Sequence, residues 1–369
     1  MKKLLKMLEG VRDTRQHGKI KHKIQDIIAI VLFATIANAN EWTEIHAFAE
    51  MNEEFLRKHL ELPYGIPSHD TLQRVMAIVP SAFLQKLLEA WNDMLSAGEG
   101  EKLKKILAID GKTMCGNGNV NQSPLHVVSA ISTEQGICLG QTAVKSKENE
   151  IVAIPELLKS LNIKNTIVTI DAMGTQTEIA KQIITQKGDY LLALKGNQGT
   201  LHKDVEDYFA DKDFLKQSEY YKTIEKARSG VEMREYWQTN DIDWLVQKAK
   251  WKGIKSIGMT RNTIVKDGIQ TTETRYFISS LTTEPKDFAR CVRGHWMVES
   301  FHWHLDVTFR EDANQTLEKQ AALNLNIIRK FALVILKIAE IGKPKTSMKL
   351  KRYYVCANPA RFLEQILSL

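Results

Sequence analysis

The sequence predicts an α/β protein: a mixed sheet of three antiparallel strands continued by parallel ones, with an inserted mostly-β subdomain and an all-helical amino-terminal domain in front. Three observations predict it. Before about residue 97 every strong apolar pattern has the helical period. Short β-rich runs then give way to alternating strands and helices up to about residue 199, and from about residue 284 the chain returns to helix. With 369 residues, 43% of them hydrophobic and 26% charged, the chain is an ordinary globular one, long enough for several units with real cores.

The amino-terminal domain, residues 1–97, rests on KHKIQDIIAIVLFATIANA, EIHAFAEMNEEFLRKHL and FLQKLLEAWNDML. Within it, YGIPSHDTLQRVMAIV offers a Gly and Pro turn, Ser68 or Asp70 as helix N-cap, and Arg74 in the helix that follows. A helix-turn-helix that reads DNA has this form, and so does any pair of helices joined by a tight turn. The first 23 residues carry eight Lys or Arg against two acids, a run that is usually a solvated face. AGEGEK, residues 97–102, is the expected linker.

Residues 103–199 hold KKILAID, LHVVSAIS and ICLGQTAV at hairpin-like spacing, then helical PELLKSL, the buried strand TIVTIDA, the helix TQTEIAKQIITQKG and the strand DYLLALKGN. A capping box from Thr175 to Glu178 opens that last helix and Gly188 closes it. The order β-β-β-α-β-α-β is that of a ribonuclease-H-like domain. Residues 200–284 break it with a charged helix, LHKDVEDYF, and the β-prone runs REYWQT, IKSIGMTRNTIV and TETRYFISSL, read as the inserted subdomain. Residues 285–340 are helices completing the core, and residues 341–369 are a basic stretch, KPKTSMKLKR, with a short helix.

A net charge of +7 makes polyanions candidate partners without establishing nucleic-acid binding. Cys115, Cys138, Cys291 and Cys356 show no CxxC or zinc-knuckle spacing, which predicts reduced thiols in a cytoplasmic protein. The longest apolar stretch, Ala29 to Ala39, falls short of the roughly 20 residues a bilayer helix needs. Asp26 and Asn38 flank or interrupt it, so it reads as a core helix and no membrane partner is expected. Lys6 and Glu9 break the apolar region that a secretion signal would need.

Chemistry concentrates in HWMVESFHWHLDVTFRED, His295 to Asp312. On a helix of about 3.6 residues per turn, Val298, Phe301, Leu305 and Phe309 fall on one side and His295, Glu299, His302, Asp306 and Arg310 on the other. The bland alternative is a solvated face with i,i+4 ion pairs. Two aspartates, Asp110 in ILAIDGK and Asp171 in TIVTIDAMG, follow the two most apolar strands, where ligands of open α/β sheets gather. For Asp110 the Asp-Gly pair is also a common hairpin turn, and strand-end aspartates often only cap turns, so either aspartate alone reads first as structural. Two of them on neighbouring strands, with a helical Glu299 able to cover them, form a set whose mutual repulsion a divalent cation such as Mg²⁺ would relieve. Such a site on a basic protein points to phosphodiester chemistry.

The chain resembles the H-repeat-associated group of bacterial insertion-sequence transposases, of the DDE superfamily. The resemblance is nearly full length, through DTRQHGKIKHKIQDIIAIVLFATIANANEWTEI, GIPSHDTLQRV, AIDGKTM, LHVVSAI, KENEI, TIDAMGTQTEIA, DYLLALKGNQ, the Glu299 motif above and NLNIIRKFAL. It implies that Asp110, Asp171 and Glu299 form a catalytic triad binding Mg²⁺, with Mn²⁺ able to substitute. It implies further a nucleoid-associated protein, acting as an oligomer, expected to be a dimer, on the terminal inverted repeats of its element and on target double-stranded DNA. The chain departs from the family pattern at four places: Cys115, the run Arg228 to Gly230, His295 and Asp306.

The remaining candidates each carry two readings. Lys112 and Lys195 follow core strands and could reach a phosphate, or be solvated. Glu232 and Arg234, two apart on a strand face, form an ion pair or contact DNA. Trp296 and Trp303 border the polar helix face and either stack on DNA or pack against the inserted subdomain. Two further alternatives stand: a domesticated or inactive copy that binds DNA without cutting it, and a zinc hydrolase using His295, Glu299 and His302, which lacks the usual histidine spacing.

Overall fold

The computed structural model describes residues 2–96, 104–144, 150–227 and 230–368. The expected linker 97–102, the first three residues of KENEI and Arg228 with Ser229 lie outside the described residues. Helices α1 (Lys2–Leu8), α2 (Ile24–Ile36), α3 (Trp42–Met51), α4 (Glu53–Arg57), α5 (His69–Ile78) and α6 (Ser81–Ser96) come first. Then follow β1 (Lys105–Met114), β2 (Leu125–Ser132), β3 (Ile137–Val144), α7 (Glu150–Ser160), β4 (Thr166–Ile170), α8 (Thr177–Thr185) and β5 (Asp189–Leu194). Next are α9 (Gly199–Ala210), α10 (Lys212–Gln217), β6 (Glu219–Ala227), β7 (Gly230–Thr239), β8 (Ser256–Lys266) and β9 (Ile269–Ser279). The chain closes with α11 (Pro285–Trp303), α12 (Lys319–Ile338), α13 (Met348–Ala357) and α14 (Pro359–Ile366).

All nine strands form one sheet in the order β3-β2-β1-β4-β5-β9-β8-β7-β6. β1 is antiparallel to β2 and parallel to β4, and β4 is parallel to β5, as the motif order predicts. The β-prone runs of residues 200–284 are expected as a separate subdomain, but β9 pairs antiparallel with β5 from Leu191↔Ser279 to Leu194↔Tyr276, so these strands extend the core sheet. The physical reason is the free edge that β5 would otherwise present, a row of unpaired backbone groups that a further strand satisfies. One buried cluster runs across the junction, joining Val168, Leu192 and Ile183 to Trp237, Ile257 and Ile278.

The amino-terminal helices likewise share their core. α2 and α6 contribute Ile28, Leu32 and Trp91 to the same cluster as Leu325, Phe331 and Ile335 of α12. α2 is the core helix expected, with every residue but Gln25 buried. No helix among the described residues is long and apolar enough to cross a membrane.

That burial includes Asp26, which is 6% exposed and leaves one carboxylate oxygen without a hydrogen-bond partner. Burial pushes its carboxyl up from 3.8 to about 6. A folded pKa above the unfolded one contributes stability that is fully present below about pH 4 and is lost as the pH rises through about 6. Above pH 6 the buried charge therefore costs about 3 kcal/mol. Asp26→Asn is expected to stabilise the protein by that order at pH 7.5 and to leave it unchanged at pH 4. Denaturant melts at the two pH values check this, and equal effects at both would refute the burial argument.

Candidate active site

Asp110 and Asp171 are neighbours because of the register between their strands. Ile109 of β1 lies opposite Ile170 of β4, so the two aspartates come next, side by side. β1 does not end at Asp110. It continues to Met114, paired with β2 from Asp110↔Ser129 to Met114↔Leu125. This excludes the Asp-Gly hairpin turn and puts Asp110 where β1 parts from β4 but keeps β2, at a gap in the sheet.

Gly111 has a different reason to be glycine. A Cβ there would stand 2.3 Å from Glu150 Oε1 and 2.5 Å from His126 Nε2. Those two atoms form a buried 2.6 Å bond, and His126 Nδ1 meets Thr113 Oγ1 at 2.8 Å. This pair, packed on the backbone immediately after Asp110, is not singled out by sequence reasoning; the signals for it are His126 within LHVVSAI and Glu150 within KENEI.

α11 covers the gap and is anchored at two points on one face. His295 Nδ1 lies 3.1 Å from Thr169 Oγ1 of β4, and His302 Nδ1 lies 3.4 Å from Asp110 Oδ2 of β1. Glu299 falls between them, four residues after one and three before the other, so it shares that face. The apolar side is as expected: Val298, Phe301, Leu305 and Phe309 are all buried. The helix widens into a π turn over His304–Thr308 and ends at Arg310, whose backbone is left-handed at φ 50°.

The electrostatics bind these groups together. Burial lowers the His295 pKa, against the combined opposing charge of Asp110, Asp171 and Glu299. Burial would raise Asp110, but the bond and charge of His302, with His295, hold it below the usual carboxylate range. Asp171 Oδ1 accepts from the backbone N–H of Met173 at 3.1 Å and of Gly174 at 3.3 Å, closing the turn into α8. Thr175 is not the N-cap expected: Gln176 holds that position, and the Thr175 hydroxyl donates to Ala193 O at 2.6 Å. It ties the turn after Asp171 to β5 instead.

Among the described residues no three His, Cys, Asp or Glu side chains converge closely enough to hold one ion. That applies to the zinc set of His295, Glu299 and His302, whose imidazoles face Thr169 and Asp110. It applies also to the two aspartates and Glu299: Asp110 is turned onto His302, Asp171 onto backbone amides, and Glu299 is exposed. The donor chemistry still fits a hard divalent cation: three carboxylates, two on adjacent strand positions and one on the helix above, with no lysine or arginine hydrogen-bonded among them.

The other candidates divide sharply. Lys112 is corrected: it lies within β1, and its side chain is 9% exposed, 2.6 Å from Asp306 Oδ1, 2.8 Å from Asp312 Oδ1 and 3.3 Å from Glu311 Oε2. Burial alone would lower its pKa, but these carboxylates raise it above the ordinary lysine value. It is a buried, neutralised ammonium with no reach to a phosphate. Lys195 is exposed after β5 and sits on a cavity of about 150 Å³ beside Asp171, together with His202, Arg275, His295 and Trp296. Arg275 stacks on Trp296 at 5.1 Å, which is packing of α11 against the inserted strands; Trp303 is 54% exposed.

Arg234 pairs with Glu232 and, at 3.0 Å, with Glu225, which Arg293 also binds at 2.6 Å. These charges are spent on holding the β6–β7 hairpin to α11. Ser68 is the N-cap of α5, accepting from Thr71 N at 3.4 Å, and Arg74 is exposed, bonded to its own first turn at Asp70 O.

The fold is a mixed α/β sheet with a helix laid across the gap between β1 and β4, and comparison with known proteins gives its family. The family model described as "Transposase DDE domain" matches residues 101–335, and "DDE_Tnp_1-associated" matches residues 5–92. The chain therefore belongs to the DDE transposase family. It is 37% identical over 99% of its length to "Putative transposase YncI" of Escherichia coli O157:H7, covering 94% of that protein. It is 35% identical over 100% of its length to "H repeat-associated putative transposase YhhI" of Escherichia coli K12, covering 98% of that one. A solved piggyBac transposase synaptic complex with hairpin DNA gives a TM-score of 0.45 at 9% identity, over 99% of this chain and 77% of that chain, too distant to bear on function.

Proposed function

We propose that the protein cuts and joins DNA at the ends of its insertion sequence in reactions that depend on a divalent cation. The observation that carries this is the side-by-side placement of Asp110 and Asp171 where β1 and β4 separate, under a helix that adds Glu299. Asp110, Asp171 and Glu299 would hold the ion, Mg²⁺ or Mn²⁺. Bound there, it supplies positive charge that activates the attacking oxygen and stabilises the leaving one.

The chain's own residues do the rest. His302 orients Asp110, and Thr169 holds His295 against β4, four residues before Glu299 on the same helix. Lys195, exposed and lining the same cavity as Asp171, would meet a backbone phosphate. Water attacks the phosphodiester at the element end, leaving a 3′-hydroxyl and a 5′-phosphate; the 3′-hydroxyl then attacks target DNA, releasing a second 3′-hydroxyl. Both steps are positioning and charge stabilisation at one protein site, each at its own phosphorus, with no protein nucleophile. An oligomer, a dimer in the simplest case, would bring two ends together.

The test is a duplex carrying the inverted repeats that flank the gene, incubated with purified protein and Mg²⁺ or EDTA. Metal-dependent nicking at the repeat boundary is expected. Salt-sensitive binding of the repeats with no nicking would instead support a copy that binds DNA without cutting it. The present side-chain positions, with Asp110 and Asp171 each tied elsewhere, are the observation favouring that second reading.

A further inference from the structure

Lys112, which the sequence lets reach a phosphate or be solvated, does neither: it faces the interior, two residues after Asp110 on the same side of β1. Its nearest partner, Asp306, lies four residues after His302, which is Asp110's partner. The spacings match: two strand residues advance about 6.7 Å and four helical residues about 6 Å. Strand and helix are thus joined by two parallel contacts, Asp110 to His302 and Lys112 to Asp306. The second is reinforced from beyond the π turn by Asp312 and Glu311. Glu311 is itself fully buried, with Asn326 Nδ2 donating to it at 2.8 Å and Arg329 at 3.7 Å. Asp312 also accepts from Cys115 N at 3.3 Å, so the end of β1 and the segment after α11 are locked from both sides.

We propose that Lys112 is a positioning residue: its contacts set how far α11 is advanced along β1, and so where Glu299 stands relative to Asp110 and Asp171. This rests on the reading of those three carboxylates as the metal site. Lys112 acts on the cation only through them. It differs from a phosphate-binding lysine in every measurable respect, because its Nζ is already surrounded by three carboxylates.

The test uses the full chain with Lys112→Met, which keeps the stem and removes the charge, and Asp306→Asn, a partly exposed site that leaves Lys112 with Glu311 and Asp312. Mn²⁺ is titrated into each protein and the free ion followed by electron paramagnetic resonance; binding to the repeat duplex is measured separately in EDTA over a range of salt. Lys112→Met is expected to weaken Mn²⁺ binding about 10- to 100-fold. Asp306→Asn is expected to weaken it in the same direction by less, with neither variant changing DNA affinity or its salt dependence. Should Lys112→Met fail to fold by circular dichroism, Asp306→Asn carries the test alone. The proposal is overturned if Lys112→Met binds Mn²⁺ like the parent while its DNA affinity drops and the salt slope falls by about one, as for a phosphate contact. It is overturned equally if Asp306→Asn tightens DNA binding with unchanged Mn²⁺ affinity. A parent that binds no Mn²⁺ would sink the metal-site reading itself, whereas a parent that binds it as tightly as both variants would sink only the role of Lys112.

Discussion

Asp171→Asn is expected to lower Mg²⁺-dependent nicking of end-containing duplex by about 10³-fold or more, with binding of that duplex retained. The magnitude follows from removing one charged ligand of a cation whose stabilisation of the transition state is worth several kcal/mol; about 4 kcal/mol converts to 10³ in rate. Fold loss is not a competing explanation at this position. The Asn side-chain oxygen can still accept from Met173 N and Gly174 N, the two bonds that form the turn into α8. Removing a negative charge beside Asp110 also reduces repulsion toward phosphate, so affinity in EDTA should hold or rise. A variant that folds, binds and nicks at the parental rate would remove Asp171 from the site and leave the metal proposal without its second strand ligand.

How much of this was legible in the chain depends on the range of the interaction that decides each feature. The helix at Ile24–Ile36, the strands at 105–110 and 166–170 and the two faces of α11 follow from local periodicity, and local periodicity is what a sequence displays. The adjacency of Asp110 and Asp171 was inferred from strand order, and the register Ile109↔Ile170 agrees with it. What escaped was decided across the chain. Lys112 looks like a free lysine after a strand, because its three carboxylates lie about 200 positions away in sequence. Gly111 looks like a turn glycine, because Glu150 and His126, which occupy the space of its missing side chain, reach it only through β2 and α7. Thr175 fits a capping box locally, yet its hydroxyl is taken by Ala193 O on the next strand. The insertion looks separate because its composition changes, and only the pairing of β9 with β5 shows that its strands continue the sheet.

The same distinction gives the second large effect: residues 104–369 without the amino-terminal helices are expected not to fold. Two family models meet near residue 97, which invites the view that two independent domains do so as well. The packing argues otherwise. α12 is buried on essentially all sides, and a helix of that kind needs neighbours all round. On one side Lys330 Nζ bonds Ser129 and Gln141 of the sheet. On another, Phe331 meets Trp91 of α6 at 5.7 Å, and Asn324 donates to Met76 O in the last turn of α5 and to Val79 O just after it. At helical spacing Ile328 and Ile335 share the face of Asn324 and Phe331. Uncovering such side chains costs about 1.5–3 kcal/mol each, so three of them with two orphaned amide bonds already approach the 5–15 kcal/mol by which whole domains are stable. Arg329 adds a polar tie, donating to Asn40 O at 3.2 Å while facing Glu311, one of the carboxylates around Lys112. The full chain should therefore melt in one transition, and the 104–369 fragment should show neither a cooperative melt nor dispersed amide resonances. A fragment that melts cooperatively on its own would mean that the amino-terminal helices are an appendage, and that whatever DNA they meet has no rigid path to the helix carrying Glu299.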